Sequence, residues 1–158
     1  MGLLDLLKSE PYQDPVIGTL NRKRGRWQGT LTLPGVGVVA IFLSGGKDRP
    51  DGGSVRLARE LPSKYLSVRD DIELHLFKHY EPYREAASSG ELDAESCPTI
   101  QAPSEVWPHT RVERVLVEPL GGISTVEIAY RVAWDQEHTV GAWIRDWRVF
   151  ELCGSVGP

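Results

Sequence analysis

The spacing of apolar residues along this chain changes period twice, and that change limits the folds open to it. In Arg26–Leu33, Trp27, Gly29, Leu31 and Leu33 fall on one side and Arg26, Gln28, Thr30 and Thr32 on the other. A period of two marks a half-buried strand. After the Pro34-Gly35 turn, residues 36–43 are a nearly continuous apolar run rich in β-branched side chains, which predicts a central strand. Residues 44–53 carry the turn chemistry of Gly45-Gly46, Arg49-Pro50 and Asp51-Gly52-Gly53. Helical spacing then takes over. Ser54 is placed to cap a helix, and Val68, Ile72, Leu76 and Tyr80 recur at every fourth position. Pro62 predicts a break or restart, and Pro82 a kink or an early end. Alternation returns in 111–118, 125–134, 139–144 and 147–153, with Val126, Ile128, Tyr130, Val132 and Trp134 facing one way.

Strands, then helices, then strands in separate runs predict an α+β fold. The expected architecture is an antiparallel sheet of about six to seven strands with the helical region packed on one face. The whole chain, 1–158, reads as a single α+β domain. Its expected parts are an N-terminal helix or extension (1–13), a β-meander (14–44), a helical region (53–87), a loop (88–108) and a second β-meander (109–156). The N-terminal helix would dock Leu3, Leu4 and Leu7 on the body.

Composition narrows the function classes. Apolar residues make up 41% and the net charge is −4, so a disordered chain is excluded. No apolar run approaches the roughly 20 residues that cross a bilayer, so stable membrane insertion is not expected. The negative balance argues against nucleic acid as a partner. The four cations Arg22, Lys23, Arg24 and Arg26 read as an exposed hairpin tip. The start Met1-Gly2-Leu3-Leu4-Asp5-Leu6 has no basic leader segment, and Leu6 stands where a myristoylation motif needs Ser or Thr. The expected location is cytoplasmic, with Cys97 and Cys153 reduced.

Three groups of residues could carry a function. Asp135, Glu137 and His138 join two strands, and a carboxylate that orients His138 would make an acid–base pair. A structured turn in which Asp135 bonds the following backbone explains the same residues. Asp71, His75 and His79 lie one helical turn apart, a spacing that can gather a divalent metal. A solvated helix face explains them equally. Trp143, Arg145, Trp147 and Arg148 concentrate the residue types that anchor protein interfaces. Gly35-Val36-Gly37-Val38-Val39-Ala40 matches a loose dinucleotide fingerprint, but a strand follows it where the mechanism needs a helix. No serine-hydrolase elbow, Walker loop or paired-cysteine motif is present, and no cofactor is expected.

Two segments carry a resemblance. Asp14-Pro15-Val16-Ile17-Gly18 with Trp27-Gln28-Gly29, and Trp134-Asp135-Gln136-Glu137-His138-Thr139-Val140-Gly141 followed by Phe150-Glu151-Leu152-Cys153-Gly154-Ser155-Val156, are similar to a family of small bacterial proteins of unknown function. The resemblance implies a bacterial intracellular protein of a kind met beside contact-dependent toxin, defence or stress genes. It supplies no activity. The expected function is therefore a non-enzymatic protein-binding module, immunity- or adaptor-like, whose partner is another protein, with basic proteins favoured by the acidic charge. The alternative is a small hydrolase or metal-binding enzyme that uses the Asp135/Glu137/His138 turn or the Asp71/His75/His79 helix face.

Overall fold

Alternation along the strands sorts side chains to the two faces of one sheet, and only one of those faces is covered by the helix. The computed structural model describes residues 8–155 and 157, so the expected helix over Leu3, Leu4 and Leu7 lies outside the described residues. The chain runs β1 (Tyr12–Asp14), β2 (Gly18–Lys23), β3 (Arg26–Leu33), β4 (Gly37–Leu43), α1 (Gly52–Ser88), then β5 (Thr110–Leu120), β6 (Ile123–Val132), β7 (Asp135–Arg145) and β8 (Arg148–Gly154). Two short 3-10 turns, Ala94–Ser96 and Pro103–His109, lie between α1 and β5. The fold is α+β and mostly antiparallel.

Two details correct the expectation. The described residues form eight strands in chain order rather than six to seven. The additional strand is β1. The Asp14 carboxylate accepts the backbone N–H groups of Val16 and Ile17, each at 2.9 Å, and this turn folds Tyr12–Asp14 back onto β2. The sheet is also not wholly antiparallel, because β4 and β5 pair in parallel with Ile41 opposite Val115. Parallel neighbours need a crossover, and α1 supplies it. The two meanders thus share one continuous sheet.

The register explains the core. Trp27, Leu43, Val117, Val126, Ile144 and Val149 lie opposite one another in a row across β3 to β8. Every member of that row is buried. On α1 the side chains of Val55, Ala58, Leu61, Tyr65, Val68, Ile72, Leu76 and Tyr80 form the stripe that meets this face. The helix is 37 residues long and runs through Pro62, where a break or restart is expected, and past Pro82, where an early end is one of the two expectations. Each proline removes one backbone bond and costs roughly 3 kcal/mol. Pro62 lies between the buried Leu61 and Tyr65, and Pro82 between the buried Tyr80 and the half-buried Tyr83, which packs against the same core. Burying side chains of this size contributes about 1.5–3 kcal/mol apiece. Packing therefore outweighs the two missing bonds. The Tyr80 hydroxyl donates to Pro98 O at 2.7 Å and accepts from Ile100 N at 3.2 Å, which ties the following connection to the helix.

One ion pair joins the first hairpin to the helix. Arg59 Nε donates to Asp14 Oδ2 at 2.8 Å, and the Asp14 side chain is fully buried. Burial alone would raise the Asp14 pKa. The Arg59 guanidinium and the Ile17 and Val16 N–H groups outweigh it and hold the carboxyl below its ordinary value. A carboxylate lowered in the folded state adds stability above its unfolded pKa of about 4, and that stability is lost as pH falls through the folded value. Asp14→Asn is expected to cost about 1.5–3 kcal/mol at pH 7. The gap to the unaltered protein should narrow towards pH 3 in thermal melts. A gap that stays constant with pH would rule out this account of Asp14.

Candidate functional site

The face of the sheet away from α1 carries a built polar network rather than a plain solvated surface. A row crosses it from Gln28 through Phe42, Leu116, Glu127 and Trp143 to Glu151. The next row runs from Arg114 through the small residues Ala129, Gly141 and Cys153. The Glu127 side chain folds over Gly141, where an added Cβ would stand 3.0 Å from the Glu127 carboxyl carbon. From there Glu127 Oε2 accepts Trp143 Nε1–H at 2.6 Å and Oε1 accepts the Ser155 hydroxyl. Ser155 Oγ in turn accepts from Arg114 Nη2 at 2.8 Å, and Arg114 Nη1 lies 3.3 Å from Glu113 Oε2. Glu113 also accepts from Arg131 Nε at 3.0 Å and from Thr139 Oγ1 at 3.1 Å. Burial would raise the Glu113 pKa, but the bonds from Thr139 and Arg131 hold it below the usual value. Arg114 is only 9% exposed, and its Nε is buried without a partner.

Beside this network an aromatic and cationic cluster faces solvent. Trp143 and Phe150 have ring centroids 5.9 Å apart. The Arg145 guanidinium stacks 4.4 Å from the Phe150 ring centre, while Arg145 also donates to Thr125 Oγ1 and to Leu120 O. Phe150 remains 42% exposed. Of the four residues read as a binding set, Trp143 and Arg145 come together here. Trp147 is held elsewhere: it sits in the β7–β8 turn with φ +58° and packs against the hydrophobic core. Arg148 is exposed and opposite Arg145 in the ladder. Phe150 is the member that sequence reasoning missed. Its alternation put it out of phase with Trp143, and a register shift in β7–β8 brings the two rings to one side.

The Asp135–His138 segment opens β7 just after the Ala133–Trp134 turn, where the β6–β7 register shifts, and it holds an acid–imidazole pair. Asp135 Oδ1 accepts the backbone N–H of Glu137 and of His138, and lies 3.0 Å from His138 Nδ1. Tyr83, from the end of α1, donates to Asp135 Oδ2 at 2.8 Å. Burial would raise the Asp135 pKa, yet the bonds from Tyr83 and His138 hold it below the ordinary value. Burial and the bond to Asp135 push the Tyr83 hydroxyl up to about 12. His138 is largely exposed, and Glu137 points to solvent. Asp135 also lines an open cleft of about 480 Å³, together with His109, Arg111 and Arg131.

The three helix residues with metal-ligand spacing have other partners. Asp71 Oδ2 accepts the Val149 N–H at 2.7 Å and so ties α1 to β8. His75 Nδ1 lies 2.8 Å from Asp71 O. His79 Nδ1 accepts Trp134 Nε1–H at 2.9 Å, and burial lowers the His79 pKa, so its ring is neutral near pH 7. Among the described residues no group of three or more His, Cys, Asp or Glu is gathered as a metal site. Both cysteines are free, and burial with the Glu127 and Glu151 charges pushes the Cys153 thiol up to about 11. A thiol so raised is a poor nucleophile.

Among the described residues, no helix is long and apolar enough to cross a membrane. No curated protein and no solved structure matches the chain. The model of one family, a domain of unknown function (DUF6985), matches residues 16–157. The chain belongs to that family, and the network and aromatic cluster described above lie within the matched residues.

Proposed function

We propose that this chain is a non-enzymatic binding module that recognises another protein through the uncovered sheet face. The observation that carries the reading is the Arg145–Phe150–Trp143 cluster. An exposed aromatic ring is capped by an arginine and braced by a polar network, on a face that the described residues leave without a second layer. Trp, aromatic and Arg side chains supply most interface anchors, and a prearranged anchor loses little entropy on binding. Among the described residues β8 is also an edge strand of the sheet, beside that cluster. The net charge of −4 favours a basic partner through long-range steering. Immunity and adaptor proteins act in this way, by occupying a partner's surface.

The test is affinity capture from the source organism with three proteins. The unaltered chain is expected to retain a stoichiometric basic partner. The Arg145→Ala, Phe150→Asp double variant is expected to lose at least about 30-fold in affinity, the equivalent of one hot spot. Leu66→Asp, on the exposed side of α1, is expected to change nothing. Retention by the double variant, or loss with Leu66→Asp alone, would sink the proposal.

A second reading, a small hydrolase, is favoured by the 3.0 Å contact of His138 with Asp135 beside the open cleft. It requires that His138→Ala abolish a hydrolytic activity while leaving partner capture intact.

A further inference from the structure

A second pocket lies at the opposite end of the fold's logic, between α1 and the sheet rather than on the uncovered face. It encloses about 220 Å³ and opens where the β3–β4 turn meets the start of β5. Its inner wall is a pair of tyrosines from α1 and β6. Tyr65 and Tyr130 are each 1% exposed, and their hydroxyl oxygens are 3.4 Å apart. Two hydroxyls that share one hydrogen bond have two protons between them and use only one. The second proton has no protein acceptor among the described residues. Burial raises both hydroxyl pKa values, so both groups are donors at neutral pH.

The outer wall is cationic. The Arg69 guanidinium lies 4.4 Å over the Trp107 ring, and Trp107 is held in place by donating to Glu73 at 2.6 Å. Arg69 and Arg111 both line the pocket, and neither makes an ion pair among the described residues. Arg69 is fixed by its stack on Trp107, so its N–H groups and those of Arg111 stand at one aromatic pocket without an ion-pair partner among the described residues. The Glu73 carboxylate accepts from the Trp107 indole and forms no ion pair with Arg69 or Arg111.

From this arrangement we infer that the Tyr65–Tyr130–Arg69 pocket binds a small carboxylate with a flat, apolar body. The guanidinium takes the carboxylate by a charge-assisted fork, the spare tyrosine proton takes a second lone pair, and Tyr130 and Val112 pack against the body. The volume sets the size. It lies below the roughly 300–1,000 Å³ of sites for drug-sized molecules, so one ring and one acid group fill it.

The experiment is an NMR titration of the full chain with benzoate and with benzamide, which match in shape and differ in charge. Benzoate is expected to shift the Trp107 indole and Arg69 Nε signals with a dissociation constant of about 1 mM or tighter, given its few atoms. Benzamide is expected to bind at least about 10-fold more weakly. Arg69→Gln should lose benzoate binding by at least about 10-fold, and the isosteric Tyr130→Phe by about 3-fold or more. Arg111→Gln is a second charge variant, should Arg69→Gln disturb the fold. Equal binding of benzamide overturns the inference. So do shifts outside the pocket, binding indifferent to both arginine variants, or no shift up to about 20 mM benzoate.

Discussion

Trp27→Ala is expected to remove about 3–5 kcal/mol of folding stability, the largest loss from any single side chain of the sheet. Trp27 is fully buried in β3 and opposite Leu43 in the row that faces α1. Its ring meets Tyr12 edge-on at 6.4 Å, so it also holds β1 to the body. Its Nε1–H donates to Gly46 O at 3.0 Å, just beyond β4. Alanine leaves a cavity the size of an indole and an orphaned carbonyl, and the two losses add. Trp27→Phe keeps most of the volume and loses only the bond, so about 1–2 kcal/mol is expected. Urea unfolding measures both, and a loss under about 1 kcal/mol for the alanine variant would contradict the packing described here.

Gly45→Ala is expected to cost about 2–4 kcal/mol, although it adds one methyl group near the surface. A Cβ at this position would stand 2.5 Å from Pro50 Cα, 2.7 Å from Arg49 O and 2.7 Å from Asp51 N. All three are backbone atoms, so no side chain can swing aside. Gly45 and Pro50 form an isolated bridge that brings the chain from β4 to Asp51. Asp51 then caps α1 by accepting Ser54 N–H at 2.9 Å. A shift at Gly45 therefore moves the start of the helix whose stripe covers the core. The neighbouring Gly46 is the control, since a Cβ there meets nothing within 4 Å. Gly46→Ala should stay within about 0.5 kcal/mol of the unaltered protein. Equal effects at the two glycines would contradict the close approach at Gly45.

These two positions mark the border of what is legible in the residue order. The alternation in Arg26–Leu33 and the stripe at Val68, Ile72, Leu76 and Tyr80 are local periodicities, and the elements that carry them follow directly. The parallel pairing of β4 with β5 is not local. It depends on a crossover of more than 60 residues, and no short pattern distinguishes it from two separate sheets. The prolines misled for a similar reason. Propensity at Pro62 and Pro82 is local, whereas the packing that overrides it comes from strands far along the chain. At the candidate site, Trp143 and Arg145 stood out by residue type. Phe150 did not, because the register shift in β7–β8 decides its face. Glu113, Arg114, Glu127 and Ser155 look like scattered polar residues until pairing of β5 to β8 sets them side by side. The bonds of Asp135 to Glu137 and His138 were readable because they span only two or three residues, although the segment belongs to β7 and not to the turn before it.

The central claim is that the two faces of the sheet have separate roles, one holding the fold and one recognising a partner. Hydrogen–deuterium exchange on the chain alone and on its captured complex tests this most directly. The expected result is slowed exchange along β8 and the adjoining end of β7, around Arg145 and Phe150, with the exposed side of α1 unchanged. Protection along α1 with β7 and β8 unaffected would contradict it.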